Sequence, residues 1–173
     1  TIDGLSFEKF IDQKQIKARI EDIRSSLNSY YSGKQPLVIG VLNGCVYFMM
    51  DVLKNIDFDY SLEFIRAKSY IGMDSGKLHL DLLKSSLIKD KQILIIEDII
   101  DTGKTISLIY KELKKSNPVD IKILTLLHKT EVDQSNIEIT WSGFEIDNKY
   151  VIGYGLDYNN LFRNLKDIYI KDE

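Results

Sequence analysis

A single cysteine, Cys45, excludes an internal disulfide framework, and two histidines far apart in the chain, His79 and His128, leave no ligand set for a structural zinc site. A reducing cytoplasm is the compatible compartment. With only two prolines, Pro36 and Pro118, and no glycine- or serine-rich tract, there is no linker at which to divide the chain. No apolar run approaches the roughly eighteen residues of a membrane span, and the start lacks the basic-then-apolar pattern of a secretion signal. The expectation is a soluble protein without a membrane partner. Positive charge is short as well: 23 Lys and Arg against 26 Asp and Glu give a net charge of -3 and a pI near 5.5. No global field recruits nucleic acid, although a local basic patch stays open. The 173 residues read as a single domain, 1–173, long enough to bury about 70% of its unfolded surface.

What is present is a regular alternation of apolar strands and amphipathic helices. Asp12 is placed to cap a first helix whose apolar face is Ile16, Ile20, Ile23, Leu27 and Tyr30 or Tyr31. Leu37 to Leu42 reads as a strand ending at Asn43-Gly44, followed by a helix from Cys45 to Leu53 with Val46, Met49, Met50 and Leu53 on one side. Ile121 to Leu127, Ile137 to Trp141 and Tyr150 to Ile152 supply further strands. This order predicts an α/β fold, a mainly parallel sheet flanked by helices, with ligands in the crevice beyond the carboxyl ends of the strands.

The most informative segment is Ile93 to Thr105, ILIIEDIIDTGKT. Its apolar run, followed by a turn and then Ile106, Ile109, Tyr110 and Leu113, predicts a buried strand feeding an amphipathic helix. The turn therefore lies at a helix amino end, where unpaired amides and the helix dipole favour an anion. Gly103 lets amides face a ligand, and the Thr102 and Thr105 hydroxyls add donors suited to phosphate oxygens. A Walker A loop shares Gly103-Lys104-Thr105, but Asp98 stands where its first glycine is needed, and Glu97, Asp98 and Asp101 would repel a triphosphate. Carboxylates beside a phosphate cradle suit a ligand carrying hydroxyls and a metal, which points to a sugar phosphate. Because Ile99 and Ile100 divide the acids, part of the segment faces the core and the acids are held at fixed places.

Glu97 through Thr105 resembles the phosphoribosyl pyrophosphate (PRPP) motif of type I phosphoribosyltransferases, in the version carried by hypoxanthine and hypoxanthine-guanine phosphoribosyltransferases. Four further matches follow in the family's order: Leu42-Asn43-Gly44, Ser69-Tyr70, Leu127-His128-Lys129, and Tyr150 to Asn159 followed by Phe162-Arg163. The resemblance implies the type I phosphoribosyltransferase fold, with a small hood built from the chain's two ends and a mobile β flap over about 69–83. It also implies transfer of a phosphoribosyl group from PRPP to hypoxanthine, and to guanine, giving IMP or GMP in purine salvage, with Mg2+ as cofactor and a homodimer or homotetramer as the assembly.

Site roles follow from the same resemblance. Glu97 and Asp98 would hold the ribose hydroxyls directly or through magnesium, and Asp101, Thr102, Gly103, Lys104 and Thr105 the 5-phosphate. Asp101 would be the general base near purine N7, although an acid there also suits a helix cap. Lys129 would donate to the purine 6-oxo group, and only the motif order sets it apart from a solvated surface lysine. Tyr150 would stack on the base and Val151 read its edge, yet the alternation of Tyr150, Ile152 and Tyr154 equally allows sheet core. Asp157 would be a further magnesium ligand beside Glu97 and Asp98, directly or through water, and Arg163 a cation near the pyrophosphate, which its planar fork suits. Leu42-Asn43-Gly44 would form the pyrophosphate loop, where a cis peptide between the first two residues is typical. Many members carry lysine or arginine at the position of Asn43. Ser69-Tyr70 would open the flap, closing over an oxocarbenium-like transition state to exclude water, although a purely structural hairpin also fits the glycines there. Some proteins of this fold are instead nucleotide-sensing regulators that bind RNA or DNA; the acidic balance and the retained Lys129 and Asp101 speak against that role.

Overall fold

In a computed structural model that describes residues 4–69, 78–80 and 84–172, the strands are β1 (Phe7–Ile11), β2 (Leu37–Leu42), β3 (Ser61–Ser69), β4 (Leu78–Leu80), β5 (Gln92–Ile100), β6 (Asp120–His128), β7 (Trp141–Glu145), β8 (Val151–Ile152) and β9 (Ile168–Lys171). The helices are α1 (Gln13–Tyr31), α2 (Val46–Leu53), the single turn α3 (Ser85–Ile88) and α4 (Lys104–Lys114). A six-stranded sheet runs in the order β4-β3-β2-β5-β6-β7, all neighbours parallel except the antiparallel β3–β4 pair. A second, three-stranded antiparallel sheet, β1-β9-β8, joins the first strand of the chain to its last two.

Side-chain alternation explains why the large sheet is covered on both faces. Val38, Leu94, Ile96, Leu124 and Leu126 face one cluster, with α1 and α2, whereas Leu37, Ile39, Ile93, Ile95, Ile121 and Ile123 face the other, with α4. Continuous β-branched and leucine runs are what a parallel sheet buried on both sides requires. The first helix begins as expected. The Asp12 carboxylate accepts from the N–H groups of Lys14 and Gln15, while the Gln15 side chain accepts from the Asp12 N–H, a reciprocal capping box whose loss costs about 1 kcal/mol. Of the two tyrosines at its end, Tyr31 is the buried one.

Three expectations need correction. The buried face of α2 is Phe48, Met49, Val52 and Leu53, whereas Val46 and Met50 are exposed. The helix is apolar nearly all round, so periodicity alone could not select its phase. The strand expected at Ile137 to Trp141 is β7, displaced toward the carboxyl end; Ile137 and Ile139 instead pack beside the α4 cluster from an extended loop. Tyr150 to Ile152 does not extend the large sheet. Its ordered part, β8, pairs antiparallel with β9, and Tyr150 is exposed rather than core. The expected flap lies mostly outside the described residues; what is described is the pairing of Ala67, Lys68 and Ser69 with Leu80, His79 and Leu78. Among the described residues no helix is long and apolar enough to cross a membrane.

Candidate active site

Beyond Ile100 the chain turns through Asp101 and Thr102 to Gly103, the N-cap of α4, which is left-handed with φ +76. A Cβ at Gly103 would collide with the Asp133 carboxylate and the Ser135 backbone, so both conformation and space demand glycine. The loop after β6 braces this turn from behind. Asp133 Oδ1 accepts from the Ser135 N–H at 2.8 Å, its Oδ2 lies 2.8 Å from Nε2 of His128, and the Gln134 N–H donates to the Thr102 carbonyl at 3.2 Å. Burial works against the charge on Asp133, but these hydrogen bonds hold its carboxyl below the ordinary range. No described side chain caps α4, so its first amides and the positive end of its dipole face the cleft.

Glu97 and Asp98 stand at the carboxyl end of β5, with Glu97 only 6% exposed. The Asp98 N–H donates to Glu97 Oε1 at 3.1 Å and the Ile99 N–H to Asp98 Oδ1 at 2.8 Å. Burial, reinforced by the neighbouring acid, pushes Glu97 well above the usual carboxylate range, and burial raises Asp98 too, against the pull of Arg163. Such a pair is suited to a cation or to hydroxyl donors. Gly44 lies against it, so close that a Cβ there would overlap the Asp98 carboxylate, and the Leu42–Asn43 peptide before it is cis. These segments, with Asp157 and Arg163, line a cavity of about 340 Å³.

A second cavity of about 190 Å³ adjoins the first and shares Asp98, Ile99, Asp101 and Asp157 with it; Lys129, Lys149, Tyr150, Val151 and Leu156 complete its wall. Lys129 is 6% exposed, and its Nζ donates to Asp101 Oδ2 at 2.8 Å and to Asn148 Oδ1 at 3.2 Å. Asp101 therefore does not cap α4. The Tyr150 ring is 47% exposed at the mouth, and its hydroxyl donates to the Asp157 carbonyl at 2.9 Å. Arg163 pairs with the Asp157 carboxylate and donates to the Gly155 carbonyl at 2.6 Å.

A profile of the phosphoribosyl transferase domain matches residues 7–159, most of the chain. The chain belongs to the phosphoribosyltransferase family. This phosphoribosyltransferase is 39% identical over 157 residues to the hypoxanthine-guanine phosphoribosyltransferase of Lactococcus lactis, covering 90% of this chain and 85% of that protein. It is 36% identical over 164 residues to the hypoxanthine-guanine-xanthine phosphoribosyltransferase of Tritrichomonas foetus, covering 94% and 90%. Among solved structures it matches a hypoxanthine phosphoribosyltransferase from Staphylococcus aureus with a TM-score of 0.88 at 34% identity, over 95% of this chain and 91% of that one. The fold is accordingly that of the type I phosphoribosyltransferases.

The phosphoribosyltransferase thus brings Leu42 to Gly44, Glu97 to Thr105, Asp157 and Arg163 around one cavity, and Lys129, Tyr150 and Val151 around its neighbour. Ser69 is described only by its backbone, and Tyr70 lies outside the described residues. Although Glu97, Asp98 and Asp157 line one cavity, no group of three or more His, Cys, Asp or Glu able to hold a metal occurs among the described residues. Asp157 is instead engaged by Arg163 and by the Asn160 N–H at 2.8 Å. Magnesium commonly takes one or two carboxylates and completes its shell with water and substrate phosphates, so the acid pair fits it without a third protein ligand. Sequence reasoning missed Asn148 and Asp133, because neither lies in a recognisable motif and each meets its partner only through the fold. Cys45 is fully buried, and burial pushes its thiol up, leaving it no nucleophile.

Proposed function

We propose that the protein transfers the 5-phosphoribosyl group of PRPP to N9 of hypoxanthine, and of guanine, releasing pyrophosphate and forming IMP or GMP in cytoplasmic purine salvage. What carries this reading is the adjacency of two unlike cavities: one walled by buried acids and a helix amino end, the other by a buried lysine, an exposed tyrosine ring and a shared aspartate. The names of the relatives point the same way. Glu97 and Asp98 hold the ribose hydroxyls directly or through Mg2+, which when bound with PRPP offsets the charge of the pyrophosphate. Amides of the Thr102 to Thr105 turn and the two threonine hydroxyls hold the 5-phosphate, with Lys104 beside them. Leu42 to Gly44 and Arg163 receive the pyrophosphate.

The base lies in the smaller cavity, stacked on Tyr150 and read along its edge by the Val151 backbone. Asp101 takes the imidazole proton as the glycosidic bond forms. Lys129 donates to the 6-oxo group, and its cationic donors oppose the 6-amino group of adenine. Asp157 would help hold the magnesium, directly or through water. Residues 1–173 act as one domain with the three-stranded sheet as hood. Exposed Val46, Tyr47 and Met50 on α2, beside Leu62 and Phe64 on β3, support assembly as a homodimer or homotetramer.

The test supplies PRPP with hypoxanthine, guanine, xanthine or adenine in turn, with and without magnesium, and follows nucleotide formation. IMP and GMP are expected only with the metal present. Failure to form either nucleotide from any base would end the proposal.

A further inference from the structure

Lys129 sits in an unusual mounting. Its backbone continues the sheet, since its N–H donates to the Ile100 carbonyl at 2.9 Å, and its own carbonyl receives the N–H groups of Val132 and Asp133 at 3.2 and 3.1 Å. The main chain is thus pinned, but the long side chain still has to aim its ammonium. Two acceptors do so: Asp101 Oδ2 at 2.8 Å and Asn148 Oδ1 at 3.2 Å. Asp101 belongs to the wall of both cavities, whereas Asn148 is absent from the wall of either and lies in the turn before β8.

The two acceptors differ in what they can keep doing. If Asp101 takes a proton from the base during the reaction, its carboxylate must turn toward the imidazole ring and ceases to be a dependable anchor for Lys129. An ammonium carries three donors, so with one on Asn148 and one on Asp101 a third is left for an oxygen in the cavity. Once Asp101 is engaged with the base, the Asn148 amide oxygen is the acceptor that remains. This oxygen holds the ammonium in direction, 3.2 Å from Nζ, so that the remaining donors stay aimed at the 6-oxo group.

We propose that Asn148 is a positioning residue for purine recognition: it fixes the Lys129 ammonium toward the 6-position acceptor while Asp101 is occupied with the base. The proposal rests on the reading of the site given above. It assigns Asn148 no contact with substrate, so its effect belongs to binding and discrimination of the base and not to PRPP.

The experiment compares Asn148→Leu, which keeps the size and removes the acceptor, with Asn148→Asp, which keeps an acceptor. Steady-state kinetics are measured for hypoxanthine and for PRPP, with adenine as competitor. For Asn148→Leu the hypoxanthine KM is expected to rise by about five- to twentyfold, with kcat and the PRPP KM within about twofold of the parent and a weakened preference over adenine. Asn148→Asp is expected to keep the hypoxanthine KM within about threefold of the parent. An unchanged hypoxanthine KM in the leucine variant would overturn the proposal. So would an equal rise in the PRPP KM, which marks general loosening, or an aspartate variant as impaired as the leucine one. A parent protein that converts no 6-oxopurine defeats the proposed function instead, and is distinguished from these outcomes by the parent's own kinetics.

Discussion

The two cavities of the site are built in opposite ways. Most of the wall that faces the proposed sugar phosphate comes from one uninterrupted stretch, Glu97 to Ile106, in which a strand, a turn and a helix follow each other directly. The wall that faces the proposed base is gathered from the end of β5, the loop after β6, the turn into β8 and the segment around Asp157, which are distant in sequence. A contiguous site has its geometry imposed by local backbone preferences, whereas a gathered one depends on the register of the sheet and on cross-chain contacts such as that between Lys129 and Asp101. The first should tolerate loosening of the fold better than the second.

Asp101 belongs to both cavities, and its substitution should produce the largest effect. Asp101→Asn is expected to lower kcat by about 10² to 10⁴ while leaving PRPP affinity, measured by calorimetry with magnesium, near that of the parent. Unchanged turnover would remove the general base from the mechanism. Lys129→Met acts only on the gathered half and is expected to lower kcat/KM for hypoxanthine by about 10- to 100-fold, with the preference over adenine largely lost. If PRPP affinity fell equally, the two halves would not be separable as the comparison requires.

Gly44→Ala presses on the contiguous half from outside, because the new methyl would displace the Asp98 carboxylate. The PRPP KM should rise by about tenfold, with the hypoxanthine KM far less affected. The smallest effect is expected at Asp167, which ties the three-stranded sheet to α1: its carboxylate accepts from the Gln13 N–H at 2.8 Å and pairs with Lys9 at 3.0 Å. These partners, Lys9 first, hold its carboxyl below the ordinary value of 3.8. A folded value below the unfolded one stabilises the fold above the unfolded pKa, and that contribution is lost as pH falls through the folded pKa. Asp167→Asn should therefore lower Tm by a few degrees at pH 7, and the difference from the parent should shrink as the pH falls below the ordinary value of 3.8 and through the lower folded one. A Tm difference that persisted unchanged in acid would show that the charge on Asp167 is not what ties the three-stranded sheet to α1.

The same contrast governs what could be read in advance. The strand, turn and helix around the acids follow from an apolar run, a glycine that must be left-handed and an amphipathic repeat at Ile106, Ile109 and Leu113. The capping box at Asp12 is equally local. The phase of α2 was not legible, because Val46, Phe48, Met49 and Met50 offer apolar surface in several directions and only the position of the sheet decides which of them is buried. The sheet to which β8 belongs was hidden for a similar reason: a short apolar segment can pair with any available edge, and β9 provides one only after the chain's two ends have met.

On its own, the amino-acid sequence determined the alternating layers, the glycine turn at a helix amino end and the set of acids beside it, since each rests on interactions between residues within a few positions of one another. Tertiary structure alone decided that Asn148 shares the Lys129 ammonium with Asp101 and that the loop of Asp133 braces Gly103. Those contacts join segments whose approach is set by strand order and packing, and no local periodicity encodes which side chains will meet there.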